Sequence, residues 1–270
     1  MRGRTKLVSV VSMLAILLAA SVVFGTGVID VSKTQFVGLL YPTAGPTATT
    51  KVLVDPTKVI KDWLVEPTYR PGNSFTIRVN ISSVTDLYTW QVNLTTRRNP
   101  YSGALILNVT RAISDEFLAR SPNQTSSEVL GLVVNSTDNA NNCAGFSETI
   151  LGNIGGITGT GRLVSIQFLI VGYGGTNITI SKTGNLRTTL LDHNGVEIPF
   201  DPVNGYFSNK LLGDVNGDRK VDWSDLFDLS KAYGSIPSQA KWNIECDFNR
   251  DDKVDWSDLF DLSKNYGKIV

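Results

Sequence analysis

The strongest constraint on the fold is a stretch of fifteen residues that occurs twice near the C-terminal end of the chain. Lys220–Gly234 reads KVDWSDLFDLSKAYG and Lys253–Gly267 reads KVDWSDLFDLSKNYG, so fourteen of the fifteen positions are identical. A repeat of this length is typical of one supersecondary unit that is used twice. The sequence therefore predicts two copies of one local structure, related by a pseudo-two-fold axis.

Oxygen-bearing side chains recur at fixed intervals in both copies. When Asp214 and Asp247 are counted as position 1, Asp or Asn occupies positions 1, 3, 5, 9 and 12, and a lysine at position 7 offers its backbone carbonyl. This is the spacing of an EF-hand loop, in which Ca²⁺ takes six to eight oxygen ligands. We therefore predict two Ca²⁺ ions. The predicted ligands are Asp214, Asn216, Asp218, Lys220, Asp222 and Asp225 in the first loop, and Asp247, Asn249, Asp251, Lys253, Asp255 and Asp258 in the second.

Both loops depart from the usual EF-hand pattern at two positions. Position 6 is normally glycine because the backbone turns there with a positive φ, but this chain has Arg219 and Asp252. Since aspartate tolerates that conformation better than arginine, the first loop is expected to be the more strained. Position 12 is aspartate instead of glutamate, so its carboxylate reaches less far toward an ion.

A helix is predicted after each loop, ending near Gly234 and Gly267, because glycine is a common residue just past a helix end. Only Lys210–Gly213 precede the first loop, which is too short for a helix. At 100° per residue, one helix stripe should pack against its copy, and a neighbouring stripe that begins with a tryptophan is left for a partner. The packing stripes are Leu226, Leu229 and Tyr233, and Leu259, Leu262 and Tyr266. Alternatively, the tryptophans complete a very small core.

A loop followed by one helix, duplicated over Leu212–Gly267 and beginning with DVNGD at Asp214–Asp218, resembles a type I dockerin. The resemblance implies two Ca²⁺ ions, two antiparallel helices, a short connecting helix over 237–243, and binding to a cohesin domain of another protein. It also implies which residues contact that partner. They are Trp223, Ser224, Phe227, Ser230 and Lys231, and in the second copy Trp256, Ser257, Phe260, Ser263 and Lys264.

The N-terminal segment has the layout of a secretory signal peptide. Arg2, Arg4 and Lys6 precede an almost wholly apolar run over 7–24, with small residues near its end. We predict a signal peptide over 1–25, with an uncleaved membrane anchor as the alternative, and a flexible linker over 26–50. The protein is therefore expected outside the cell or at its surface.

Two further residue types bear on export. Six Asn-X-Ser/Thr sequons predict a glycoprotein. They are at Asn80, Asn93, Asn108, Asn123, Asn135 and Asn177. Cys143 and Cys246 lie in different halves of the chain, so they are no disulfide framework, and either a bridge or two free thiols is possible.

The middle of the chain, 51–209, alternates apolar and polar residues in short runs between turn clusters, which is typical of an all-β sandwich or jelly roll. The runs predicted as strands are Phe75–Ile81, Leu87–Leu94, Ala104–Thr110, Val129–Asn135, Arg162–Val171, Asn177–Ser181 and Gly205–Phe207. One helical turn is predicted near Ser114–Ala119. The predicted fold class is therefore mainly β, a jelly-roll sandwich over 51–209 followed by a small, duplicated α-helical module over 212–270.

The order of several short motifs in this region resembles a cohesin-type domain. These motifs are PGNSFT at Pro71–Thr76, LYTWQ at Leu87–Gln91, GTGRLVSIQF at Gly159–Phe168, Leu191-Asp192, GVEIP at Gly195–Pro199 and Asn204-Gly205. The resemblance implies a nine-stranded jelly roll that binds a dockerin or, in relatives, a carbohydrate. A sandwich that binds dockerins, joined to a dockerin, also permits head-to-tail self-association of the chain.

Several function classes are disfavoured. The 25 basic and 25 acidic residues form no basic patch, so nucleic acid is not an expected partner. The only histidine, His193, lies in a predicted turn and offers no catalytic triad. We therefore predict a secreted, non-catalytic assembly protein linked to polysaccharide binding or breakdown. The alternatives are a carbohydrate-binding module, with Tyr88, Trp90 or Tyr101 as a stacking platform, or a glycosidase that uses acids such as Glu128 and Glu148.

Overall fold

The computed structural model describes residues 49–115, 117–118, 127–128, 136–137, 141–150, 155–183 and 187–270. The predicted signal peptide, nearly all of the predicted linker, the predicted strand over 129–135 and the sequons at Asn123 and Asn135 lie outside these residues. The helical turn near 114–119 is only partly described. Within the described ranges, no helix is long and apolar enough to cross a membrane.

Among the described residues, thirteen strands in two sheets enclose the larger hydrophobic core, which confirms the mainly-β sandwich. The five-stranded sheet has the order β12-β1-β3-β9-β5, and the eight-stranded sheet has the order β2-β13-β10-β4-β8-β6, with β11 paired to β4 and β7 to β8. The strands are β1 (Lys51–Asp55), β2 (Lys58–Ile60), β3 (Ser74–Leu87), β4 (Thr89–Arg97), β5 (Leu107–Ser114), β6 (Ser127–Glu128), β7 (Ser136–Thr137), β8 (Asn141–Ile150), β9 (Ile157–Ile170), β10 (Gly175–Ile180), β11 (Thr189–Leu191), β12 (Asp201–Val203) and β13 (Gly205–Ser208). Their number exceeds the nine that the resemblance implied, since several have only two or three residues.

Alternation along β3 explains how one face of the five-stranded sheet is buried. Phe75, Ile77 and Val79 are buried, whereas the residues between them are exposed, as the period of two in an extended strand requires. The Phe75 ring stacks on Phe168 of β9 at 5.6 Å and on Phe207 of β13 at 4.8 Å between centroids. Since β13 belongs to the other sheet, this aromatic stack joins the two sheets.

The C-terminal repeat forms two helices with identical ends, α1 (Trp223–Ala232) and α2 (Trp256–Asn265). The side chains of Asp222 and Asp255 cap the helix N-termini by accepting hydrogen bonds from the Ser224 and Ser257 amides, each at 2.9 Å. Gly234 and Gly267 follow the helices with φ of 75° and 84°, which confirms their predicted role. The helix predicted over 237–243 is wrong, because turns occupy that segment and a single 3₁₀ turn follows at Ile244–Cys246.

A second, smaller core lies under the helices. Leu229 of α1 and Leu262 of α2 are buried there with Val221, Val254 and Cys246. The predicted packing stripe is too wide, since Leu259, Tyr233 and Tyr266 are exposed. The two tyrosines follow the last helical residues, where the chain has already left the helical path. Tyr173, from the turn between β9 and β10 of the sandwich, is also buried in this second core.

Short antiparallel bridges connect the two copies. The Val221 amide donates to the Lys268 carbonyl at 3.0 Å, and the Gly267 amide donates to the Val221 carbonyl at 2.7 Å. Correspondingly, the Val254 amide donates to the Ser235 carbonyl at 2.9 Å, and the Gly234 amide to the Val254 carbonyl at 2.7 Å. Each loop is therefore paired with the residues that follow the helix of the other copy.

Candidate metal centres and partner surface

The carboxylates at position 12 tie the two ends of each loop together. Asp225 is fully buried, and its Oδ1 accepts the Val215 amide at 2.8 Å while its Oδ2 accepts the Asp222 amide at 2.8 Å. Asp258 makes the equivalent bonds to the amides of Phe248 at 2.7 Å and Asp255 at 2.9 Å. The two loops thus have the same internal frame.

The carboxylates at position 1 are buried but differ in their partners. Asp214 Oδ1 accepts the Gly217 amide at 2.7 Å, and its Oδ2 accepts the Arg219 amide at 3.0 Å. Asp247 Oδ2 accepts the Asp252 amide at 3.2 Å, but Asp247 Oδ1 is buried without a hydrogen-bond partner. A buried carboxylate oxygen without a partner is costly, and a cation would satisfy it.

At positions 3 and 5 the side chains fold back onto the loop backbone. Asn216 Oδ1 accepts the Asp218 amide at 2.8 Å, and Asp218 Oδ1 accepts the Lys220 amide at 3.0 Å. Asn249 and Asp251 make the same bonds at 3.1 and 3.0 Å. These bonds hold the loop backbone in a tight turn, with the side-chain oxygens of positions 3 and 5 close to it. The lysines at position 7 have exposed, positively charged side chains that cannot bind a cation, so only their carbonyl oxygens are available to an ion.

Burial disfavours the charged form of the carboxylates at positions 1 and 12 of both loops. Burial raises the pKa of Asp214, Asp225, Asp247 and Asp258 above the ordinary aspartate value. Among the described residues no three acidic, histidine or cysteine side chains converge as a ready cage. The donors are all oxygens, as Ca²⁺ prefers, and the orphaned Asp247 oxygen needs a partner. The residues therefore fit a calcium ion by their chemistry.

The backbone at position 6 adopts the predicted conformation. Arg219 has φ of 75° and Asp252 has φ of 63°. Position 4 also has a positive φ, which is 81° at Gly217 and 68° at Arg250. The second loop therefore holds two non-glycine residues with positive φ and the first loop only one. The expectation that the first loop is the more strained is wrong, because it considered position 6 alone and overlooked the glycine that Arg250 replaces.

Residues of the sandwich contact both loops, and the sequence analysis did not find them. The Tyr173 hydroxyl donates to Asp214 Oδ2 at 2.7 Å. The Lys58 ammonium pairs with the Asp252 carboxylate and lies 3.8 Å from Asp247 Oδ2. The Arg250 guanidinium donates to the Ile60 carbonyl. No local pattern predicts these contacts, because the partners are far apart in the sequence.

The other face of each helix carries an exposed aromatic and basic surface, here called the partner surface. Trp223 is 68% exposed and Phe227 54%, and their counterparts Trp256 and Phe260 are 68% and 52% exposed. The Lys231 ammonium lies 4.1 Å from the centroid of the Phe227 ring, and the Lys264 ammonium lies 4.1 Å from that of Phe260. Ser224 and Ser230 are also exposed, as are Ser263 and the two lysines, while Ser257 is half-buried. The alternative that the tryptophans complete the core is therefore wrong.

The remaining candidate residues have structural roles or stay open. Trp90 is buried and donates to Glu148 Oε2 at 3.0 Å, so it is no stacking platform, whereas Tyr101 is 69% exposed. His193 is exposed and pairs with Asp86.

The described glycosylation sequons differ in exposure. Asn93 is buried and donates to the Arg187 carbonyl at 2.9 Å, which leaves no room for a glycan. Asn177 is exposed, and Asn80 and Asn108 are half-buried. Cys143 is half-buried and Cys246 is buried, and no disulfide joins them.

Comparison with known proteins adds two findings. Residues 212–265 match the family model described as Dockerin type I domain. No curated protein sequence matches the chain.

The similar solved structures include cohesin domains. They include the non-cellulosomal cohesin from the archaeon Archaeoglobus fulgidus, at 15% identity and a TM-score of 0.37 over 59% of this chain and 90% of that chain. The second type II cohesin module of the adaptor ScaA scaffoldin from Acetivibrio cellulolyticus has 16% identity and a TM-score of 0.40 over 60% and 91%. The sixth cohesin of scaffoldin B from the same organism, solved with a Cel5 dockerin mutant, has 15% identity and a TM-score of 0.39 over 60% and 100%. The C-terminal segment of the chain thus matches the type I dockerin family.

Proposed function

We propose that this chain is a secreted, non-catalytic assembly protein whose C-terminal module binds a cohesin domain of another protein in a calcium-dependent manner. The observation that carries the proposal is the duplicated partner surface. Soluble proteins bury tryptophan and phenylalanine where they can, and exposed aromatic patches with basic neighbours are typical of protein interfaces. Here both helices expose the same aromatic pair beside the same lysine, although their opposite faces are buried.

Two calcium ions would be held by the oxygens of the two loops, namely the side chains at positions 1, 3, 5, 9 and 12 and the position 7 carbonyls. An ion would supply positive charge to a segment that carries nine basic and twelve acidic side chains from Lys210 onward. It would also give the buried Asp247 oxygen a partner. Because the last positions of each loop are the first residues of the following helix, an ordered loop fixes the direction in which the partner surface points.

The proposed test is calorimetric titration of the full chain with purified type I cohesin domains, in calcium and in excess chelator. We expect binding in calcium and a loss of at least about a hundredfold in affinity in chelator, because the loops hold the partner surface in place. Calcium titration alone should give two ions per chain. Equal affinity in both conditions, or no binding to any cohesin tested, would contradict the proposal.

A second prediction concerns the duplication of the partner surface. Since both copies present the same residues, we expect the module to bind in either of two orientations. Trp223→Ala or Trp256→Ala alone should then weaken cohesin binding only about twofold, because one orientation survives. The double variant should lose about thirtyfold or more, as expected when an aromatic anchor is removed from every binding mode.

The matched control for these variants is Tyr101→Ala, which removes an equally exposed aromatic side chain from the sandwich and should leave cohesin binding unchanged. If calorimetry shows that either single tryptophan variant is as defective as the double, binding has one orientation and the prediction fails.

The sandwich is proposed to bind a dockerin of another chain or a polysaccharide. Exposed Tyr101 favours the carbohydrate alternative, since an accessible ring can stack on a sugar face. A glycan array would separate sugar binding from protein binding.

If the sandwich binds dockerins, chains can associate head to tail, and sedimentation in calcium at increasing protein concentration should show growing oligomers. Export and glycans on Asn80, Asn108 and Asn177 complete the proposal, and mass spectrometry of secreted protein tests them.

A further inference from the structure

The first calcium loop is not closed by its own residues alone. Asp214 is buried, and the Tyr173 hydroxyl approaches its Oδ2 from the turn between β9 and β10. The same hydroxyl accepts the Leu211 amide at 2.6 Å, so it joins the carboxylate to the segment that connects the two domains. Tyr173 therefore belongs to the sandwich but contacts both the connecting segment and the first loop.

Neighbouring groups hold Tyr173 firmly in this position. The Trp63 ring packs edge-on against it, with 5.1 Å between centroids, and the Arg219 guanidinium of the loop lies 5.5 Å from its ring centroid. Asn99 donates to the Tyr173 carbonyl at 2.9 Å and reaches the Gly217 carbonyl at 3.4 Å. A side chain packed and bonded on all these sides cannot move without moving the loop.

The second loop is contacted by the sandwich in a different manner. Lys58 of β2 faces Asp247 and Asp252, and Arg250 reaches back to the strand end at Ile60. The pair between Lys58 and Asp252 lies at the surface, so it contributes little and is screened by salt. At the first loop, by contrast, both partners of the contact, Tyr173 and Asp214, are buried.

We propose that Tyr173 is a positioning residue for the first calcium loop, and that calcium binding there is thereby coupled to docking of the C-terminal module on the sandwich. This inference rests on the proposed calcium binding. The Tyr173 hydroxyl donates to Oδ2 of Asp214 and so fixes the rotamer of this carboxylate, while Oδ1, which accepts the Gly217 amide, would have a second lone pair for an ion. Groups that support metal ligands in proteins act in this way. Coupling is reciprocal, so calcium should also stabilise the boundary between the domains.

The test is calorimetric calcium titration of the full-length parent chain, Tyr173→Phe and Tyr206→Phe. Tyr206 is the matched control, because it is buried at the same boundary but its hydroxyl donates to Glu245, outside both loops. We expect Tyr173→Phe to weaken one of the two sites about tenfold and to leave the other unchanged. Tyr206→Phe should bind both ions as the parent does.

A second measurement uses the parent chain alone, so it remains decisive even if Tyr173→Phe fails to fold. Calcium should slow hydrogen exchange at the Leu211 and Gly174 amides beside Tyr173, but not at remote β9 amides such as that of Ile166. The coupling is wrong if slowing is confined to residues 214–270, or if the two phenylalanine variants bind calcium alike. A parent chain that binds no calcium overturns the calcium proposal itself, and the coupling with it.

Discussion

Asp225→Ala is expected to remove one of the two calcium ions and to destabilise the C-terminal module by about 3 kcal/mol or more, even in chelator. The carboxylate is fully buried and accepts the amides of Val215, Asn216 and Asp222 at 2.8, 3.2 and 2.8 Å. Alanine leaves these donors without their partner at both ends of the loop. It also removes half of the capping box at the start of α1, since Asp225 accepts the Asp222 amide.

The measurements for this variant are denaturant unfolding in chelator and the number of ions bound in calorimetry. Asp228→Ala is the matched control, since Asp228 lies on the same helix but pairs only with Lys231 at the surface. That change should cost about 0.5 kcal/mol or less and keep both ions. Should Asp225→Ala unfold at the same denaturant concentration as Asp228→Ala, the loop frame described above would not be what holds the module together.

Phe207→Ala is expected to destabilise the sandwich by about 3–5 kcal/mol, a large share of the stability of an ordinary domain. The side chain is fully buried and stacks on Phe75 at 4.8 Å with only 9° between the ring planes. Because it reaches from β13 to a strand of the other sheet, its loss opens a cavity at the contact between the sheets, where neighbours on both sides are fixed by strand pairing.

Denaturant unfolding of the full chain measures this effect. Phe227→Ala is the control, since it removes the same side chain from the partner surface, where it is 54% exposed. It should change stability by about 0.5 kcal/mol or less while weakening cohesin binding. A similar stability loss in both variants would contradict the assignment of one phenylalanine to the core and the other to the interface.

Features set by local spacing were predictable from the sequence. The positions of the loop carboxylates, the helices and their glycine ends, and the positive φ at position 6 all depend on residues a few positions apart. The signal for Trp90 was also present, since it alternates with Val92 and Leu94 on the buried face of β4, and its assignment as a possible sugar platform overlooked that pattern.

Other features could not be predicted in this way. Strand β8 was missed because its inward positions include Ala144 and Glu148, so burial alternates along it while hydrophobicity does not. The contact of Tyr173 with Asp214 spans 41 residues and depends on how a turn of the sandwich is placed against the loop. Only the tertiary arrangement brings such groups together.

The crossed bridges between the copies make the duplicated segment equivalent to a two-fold symmetric dimer contained in one chain. Val221 pairs with the residues after α2, and Val254 pairs with those after α1, so neither copy can complete its own loop. An isolated copy would find the missing strand only on a second molecule, and two such molecules could supply it to each other through an isologous contact. In this chain the turns over 236–243 join the two copies covalently. The pairing that would otherwise need two molecules therefore forms within one.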